Sequence, residues 1–187
     1  MTIQAIIDHN NMAVALMEQR SIKPAIDNAV KALQIQREQL IEAVSIQNDE
    51  FDSIDACMLF TEVTSNTYLV NHNNRMLIYG QGISIPDSFT NSAMISAIVL
   101  FNLALAHHLG AISEKPSSGL LAKAKQLYQL TFEVHAHAEG DVLFPFAVIN
   151  NLAVIEHMLG NTAESMWYFG LLGAKTRSGV LNEEEHS

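Results

Sequence analysis

One short pattern occurs three times in this chain, at widely separated places. It reads Asn11-Met12-Ala13, then Asn102-Leu103-Ala104, then Asn151-Leu152-Ala153. Each copy sits in an apolar stretch with helical character: His9 to Leu16, Leu100 to His107, and Ile149 to Glu156. Around the first copy, Ile6, Ile7, Met12, Ala13, Leu16 and Met17 recur at helical spacing. A local pattern that recurs in a helical chain points to a stack of like units, each burying a face against the next. Composition agrees with this restriction. The 187 residues include only 9 Gly and 4 Pro, which favours helices, and 49% are apolar, enough for one domain with a core.

Spacing within each copy predicts helical hairpins. Ala25 follows Ala13 by twelve residues, and Ala29 and Ala32 continue the same face. Small residues at such places let two helices approach closely while larger neighbours fill the groove. Ser21 is placed to cap the second helix, with Pro24 in its first turn. The turn of about 19–23 is short, so the two helices are antiparallel neighbours. In the third copy, Ser165 again follows Ala153 by twelve residues, Gly160-Asn161 forms the turn, and Phe169 and Leu172 continue the second helix. The second copy is longer by eight residues, since Ala104 aligns with Ala124. The excess falls in Gly110 to Gly119, where Pro116-Ser117-Ser118-Gly119 reads as a mobile loop outside the repeat.

The residues Asn11-Met12-Ala13, Leu16 and Ala25-x3-Ala29-x2-Ala32-Leu33 resemble a tetratricopeptide repeat (TPR). The family's first-helix Gly is Ala13 here, and its bulky second-helix aromatic is Ala29. The layout, with an Ile-Pro-Asp segment leading into Phe101-Asn102-Leu103-Ala104, is similar to the divergent TPR-like proteins of diatom algae. The resemblance implies a single all-α domain: a TPR-like right-handed superhelix of about three helical hairpins. These hairpins are expected at 3–44, 90–136 and 142–175. An insertion at 45–89 breaks the array. Within it, Tyr68-Leu69-Val70, a turn at 71–74 and Arg75 to Tyr79 read as a small β-hairpin, and Ile83-Ser84-Ile85 alternates before Pro86-Asp87. The tail, 176–187, is polar and expected to be solvated and disordered.

What the resemblance implies about function is protein–protein interaction, as an adaptor or a subunit of a larger assembly. The partner would be a protein or peptide seated on the concave face. Repeat offsets project Asn10, Val14 and Met17, then Phe101, Leu105 and His108, then Asn150, Val154 and His157 onto that face. None is Lys or Arg, so the expected contact is apolar, anchored by Phe101 and Leu105, and not a carboxylate clamp. Asn11, Asn102 and Asn151 are expected to cap or bridge helices inside the repeat. The sequence leaves open whether the groove is free or covered by 45–89 or the tail. The rival reading is a purely structural subunit with permanently buried faces, and a weaker one is a metal-binding protein or enzyme that uses the histidines.

Other classes are disfavoured. A net charge of −10 offers no clustered cations for nucleic acid. The longest apolar run, Ala93 to Leu109, is interrupted by Ser96, Asn102, His107 and His108, so no membrane span is expected. The N-terminus carries Asp8 and Glu18 and lacks a basic leader. The single cysteine, Cys57, excludes an internal disulfide, which suits a reducing intracellular compartment: the cytoplasm, or an organelle if a leader was removed. His107 and His108 diverge by about 100° on a helix and make a poor metal pair. His135, His137 and Glu139 end a helix, and Glu156-His157 lacks the second His of a zinc-protease motif. Gly80-Gln81-Gly82 lacks the continuation of a dinucleotide loop. No catalytic residue, metal or cofactor is therefore expected.

Overall fold

The computed structural model describes residues 3–45, 69–72, 76–113, 117–136 and 143–184. The chain is all-α in its main body. Six helices are described: α1 (Ile3–Glu18), α2 (Ile22–Ser45), α3 (Ser92–Ser113), α4 (Ser118–His135), α5 (Leu143–Met158) and α6 (Thr162–Glu184). Each packs on the next along the chain, and α1 also touches α3. Between α2 and α3, β1 (Leu69–His72) pairs antiparallel with β2 (Met76–Tyr79), with Leu69 opposite Tyr79 and His72 opposite Met76. β2 lies against α5. Cys57, His137 and Glu139 lie outside the described residues.

Buried positions follow the helical period. On α2 they are Ala25, Ala29, Ala32 and Gln36; on α4 they are Leu121, Ala124, Tyr128, Thr131 and His135. The small residues at the twelve-residue spacing are all buried: Ala13 with Ala25, and Ala153 with Ser165. Ser165 Oγ even donates to Ala153 O at 2.9 Å across the third hairpin. Leu103 packs with Ala13 and Ala29, so a residue from α3 fills the space that two small side chains leave on the first hairpin.

α3 is apolar on every side and buried almost throughout. It is the one described helix long and apolar enough to cross a membrane, with mean hydropathy 1.8, yet 83% of that window is buried inside the protein. A helix hydrophobic all round is what the centre of a helical stack requires. Asn91 caps it, accepting from Met94 N through Oδ1 at 3.0 Å.

Two boundaries differ from the sequence expectation. Residues 110–113 belong to α3 and 118–119 to α4, so most of the expected loop is helix. Ala111 is fully buried, and a Cβ on Gly110 would lie 3.2 Å from Ile22 Cγ2, so the extra turn is packed against α2. Ser117 caps α4 through Leu120 N. At the other end α6 runs through Glu184, so most of the expected polar tail is helix as well.

The first and third hairpins turn in the same way. Arg20 N donates to Met17 O at 2.9 Å and Ser21 N to Leu16 O at 2.8 Å; Gly160 N donates to His157 O at 3.0 Å and Asn161 N to Glu156 O at 2.8 Å. Both are Schellman closures, which place the residue after the helix in the left-handed region. Gly160 has φ +84° there, and Arg20 has φ +59°. A side chain in that region costs what glycine does not. Arg20→Gly is therefore expected to raise the unfolding free energy by about 1 kcal/mol. A denaturant midpoint that fails to rise would show that the Arg20 side chain offsets its strained backbone.

Candidate functional site

α1, α3 and α5 bring their repeated asparagines to one side, and an extended piece of the chain lies across them. Asn11 Oδ1 accepts from Ile85 N at 2.7 Å, and its Nδ2 donates to Ile85 O at 2.8 Å. Asn102 treats Ile83 identically, with 2.8 Å from Ile83 N and 2.7 Å to Ile83 O. Asn151 does the same to Tyr79, at 2.7 Å from its N and 3.0 Å to its O. Each carboxamide thus satisfies both polar groups of one residue, as a neighbouring β-strand would. The three asparagines form a ladder, one rung per hairpin.

Spacing explains why the segment is extended. The gripped residues are 79, 83 and 85, which average three residues per rung. Extended chain advances about 3.3 Å per residue, so three residues span about 10 Å, close to the separation of packed helices. An α-helix would advance less than half as far.

Further contacts tie the rungs together. Asn102 Nδ2 also donates to Asn10 Oδ1 at 2.8 Å, while Asn10 Nδ2 donates to Ile83 O at 3.0 Å and Asn11 Oδ1 at 3.1 Å. Asn151 Nδ2 reaches the Tyr128 hydroxyl at 2.9 Å. Burial pushes the Tyr128 phenol well above its ordinary range, partly offset by that bond from Asn151, so the hydroxyl stays protonated. The segment's side chains alternate: Ile83 and Ile85 are buried, and Ser84 between them is exposed. Gly82 is where backbone passes closest to α1, since a Cβ there would lie 2.8 Å from Met17 Cε and 3.0 Å from Val14 Cγ2.

Of the two alternatives left by the sequence, a free groove or one covered by 45–89, the described residues show the second at the first helix, where residues 82–83 lie against Asn10, Val14 and Met17. Asn10, Phe101, Leu105 and His108 are fully buried, and Val14, Met17 and Val154 nearly so. Phe101 is a core ring, 5.9 Å from Tyr79, 5.6 Å from Tyr128 and 5.5 Å from Phe144 between centroids. Asn150 is half-buried and only His157 is exposed. The expectation that Asn11, Asn102 and Asn151 cap or bridge helices holds only in part: Asn102 bridges α3 to α1 through Asn10 and Asn151 bridges α5 to α4 through Tyr128, but all three chiefly hold a non-helical segment 19 to 74 residues away. Their recurrence in the sequence was the signal, but its target lay in another part of the chain.

Among the described residues, no group of three or more His, Cys, Asp or Glu side chains gathers at one point. Both ring nitrogens of His107 are buried without a hydrogen-bond partner among those residues. Burial, and secondarily the Lys123 charge, lowers its pKa from 6.5 to about 4. The unfolded chain takes up this proton near pH 6.5, whereas the folded chain resists it until about pH 4. Stability tied to neutral His107 is thus complete above pH 6.5 and is lost as the pH falls towards 4. With allowance for solvent screening, the loss is on the order of 2 kcal/mol. Urea midpoints measured from pH 7 to pH 4 should fall less steeply in His107→Phe; an unchanged slope would place the acid sensitivity elsewhere.

The fold and the site define an all-α chain of helical hairpins whose odd-numbered helices clamp an extended segment through repeated asparagines. No family model, curated protein or solved structure matches this chain.

Proposed function

We propose that this protein is an interaction module, an adaptor or a subunit of a larger assembly, built as a TPR-like superhelix and carrying out binding and not a reaction. Its concave face reads an extended peptide through main-chain contacts, and residues 79–85 are the resident occupant. The observation that supports this is the bidentate pairing of Asn11, Asn102 and Asn151 with Ile85, Ile83 and Tyr79. Contacts to main chain are indifferent to side-chain identity, so a partner strand with alternating apolar residues meets the same donors and acceptors. The TPR-like repeat pattern supports the same reading. A partner on this face must exchange with the chain's own segment.

The rival is a structural subunit whose segment never leaves. A labelled peptide of residues 78–89 distinguishes the two. Ile85→Ala weakens the resident segment, so the peptide should bind that variant at least tenfold more tightly than the native protein. Adding Asn102→Ala should remove the gain. If a folded Ile85→Ala protein ignores the peptide, the segment is a fixed part of the core and the structural reading prevails.

A further inference from the structure

A second surface lies on the last hairpin, away from the ladder. α4, α5 and α6 line a half-open cavity of about 350 Å³. Its floor is Ile149 and Leu152, both 2% exposed. Its walls are three aromatic rings: Phe132 from α4, and Trp167 and Tyr168 from α6. Trp167 is 60% exposed and Phe132 40%. The Trp167 and Tyr168 rings meet edge to face, with centroids 4.9 Å apart and planes at 71°. Glu133 stands at the same cavity. An adjoining cleft of about 370 Å³ shares Gln129, Trp167 and Tyr168 and adds Lys125, Glu156 and Glu164.

The unpaired charges have one sense. Lys125 Nζ is engaged by Glu156 Oε1 at 2.6 Å, and Glu156 Oε2 accepts from Asn161 Nδ2 at 2.7 Å. That pair is internally satisfied. Glu133 and Glu164 have no ion-pair partner among the described residues. The site therefore combines an apolar floor, exposed π-faces and two uncompensated carboxylates. Ring faces attract cations through their quadrupole, and arginine or lysine adds an aliphatic stem that packs on an apolar floor. A second copy of this chain fits poorly, since both copies would carry a net charge of −10.

We propose that this cavity receives a lysine or arginine side chain from a basic partner peptide, its stem against Ile149 and Leu152 and its charge between the Trp167 ring and Glu133. The proposal does not rest on any exchange at the asparagine ladder.

Trp167 is the only tryptophan in the chain, so its emission reports on this site alone. The experiment titrates the native protein with a short acetylated Ala-Arg-Ala-Arg-Ala amide at low ionic strength. The comparison peptide has norleucine in place of each arginine. A saturable emission change is expected with the arginine peptide, at least tenfold tighter than with the norleucine peptide. Glu133→Gln, an exposed and conservative change, should weaken it about fivefold to tenfold, and added salt should weaken it further. Equal response to both peptides would overturn the proposal in favour of a plain apolar groove. So would failure of the arginine peptide to saturate, or affinity unchanged in Glu133→Gln. Emission that shifts with protein concentration in the absence of peptide would assign the face to a second copy and overturn it too.

Discussion

Asn102→Ala is expected to lower the unfolding free energy by about 3–5 kcal/mol. Asn102 is fully buried and makes three hydrogen bonds: two to the Ile83 main chain and one to Asn10 Oδ1. Truncation leaves the Ile83 N–H and Asn10 Oδ1 without those partners, where water does not reach. Each orphaned buried group costs about 1–3 kcal/mol, far more than the net worth of an exposed bond. Gln4→Ala makes the contrast. Gln4 Nε2 donates to Asp8 and Asp87 at the surface, and its loss should cost under about 0.5 kcal/mol. Chemical denaturation of the two variants measures the difference. An Asn102→Ala loss near that of Gln4→Ala would mean that the segment is held by its isoleucines and that the ladder adds little. Hydrogen exchange at Ile83 N–H gives a second reading, because protection there should collapse in Asn102→Ala while the centres of the helices stay protected.

Leu105→Asp is expected to abolish folding. Leu105 is 0% exposed on α3, the most buried helix, and sits among the residues of the main core. A carboxylate there would be ionised without a partner or would take up a proton, and either route costs several kcal/mol. Loss of the leucine packing adds about 2–5 kcal/mol more. Domains of this size hold only about 5–15 kcal/mol in all. Circular dichroism should show the loss of cooperative unfolding, whereas Met166→Asp, at an exposed position on α6, should leave the melting curve unchanged. A folded Leu105→Asp protein would mean that this face of α3 opens to solvent, and it would return Leu105 to the set of partner contacts.

Helices and their pairing were legible in the sequence because the forces that make them are local. Apolar spacing on α1 and Gly160 after α5 act within a few residues of where they are written. Ala153 and Ser165 are twelve residues apart, with one short turn between them, so their contact could be read from the linear chain. The alternation of Ile83, Ser84 and Ile85 likewise showed an extended piece with one face buried. Lengths were harder. The extra residues after Gly110 read as a loop, because nothing local says that Ile22 lies beside Gly110.

The role of the asparagines belonged to the tertiary structure alone. Asn is a versatile donor and acceptor, and its neighbours in sequence offered only helix ends as partners. Its actual partner residues are 74 positions away for Asn11, 19 for Asn102 and 72 for Asn151. The same holds for the ring of Trp167, whose cavity needs Phe132 and Glu133 from another hairpin. A recurring residue can be recognised from sequence, but what it holds is set by which distant main chain must leave water nearby. That choice is made only when the helices stack, because an unpaired buried amide costs more than almost any local preference can offset.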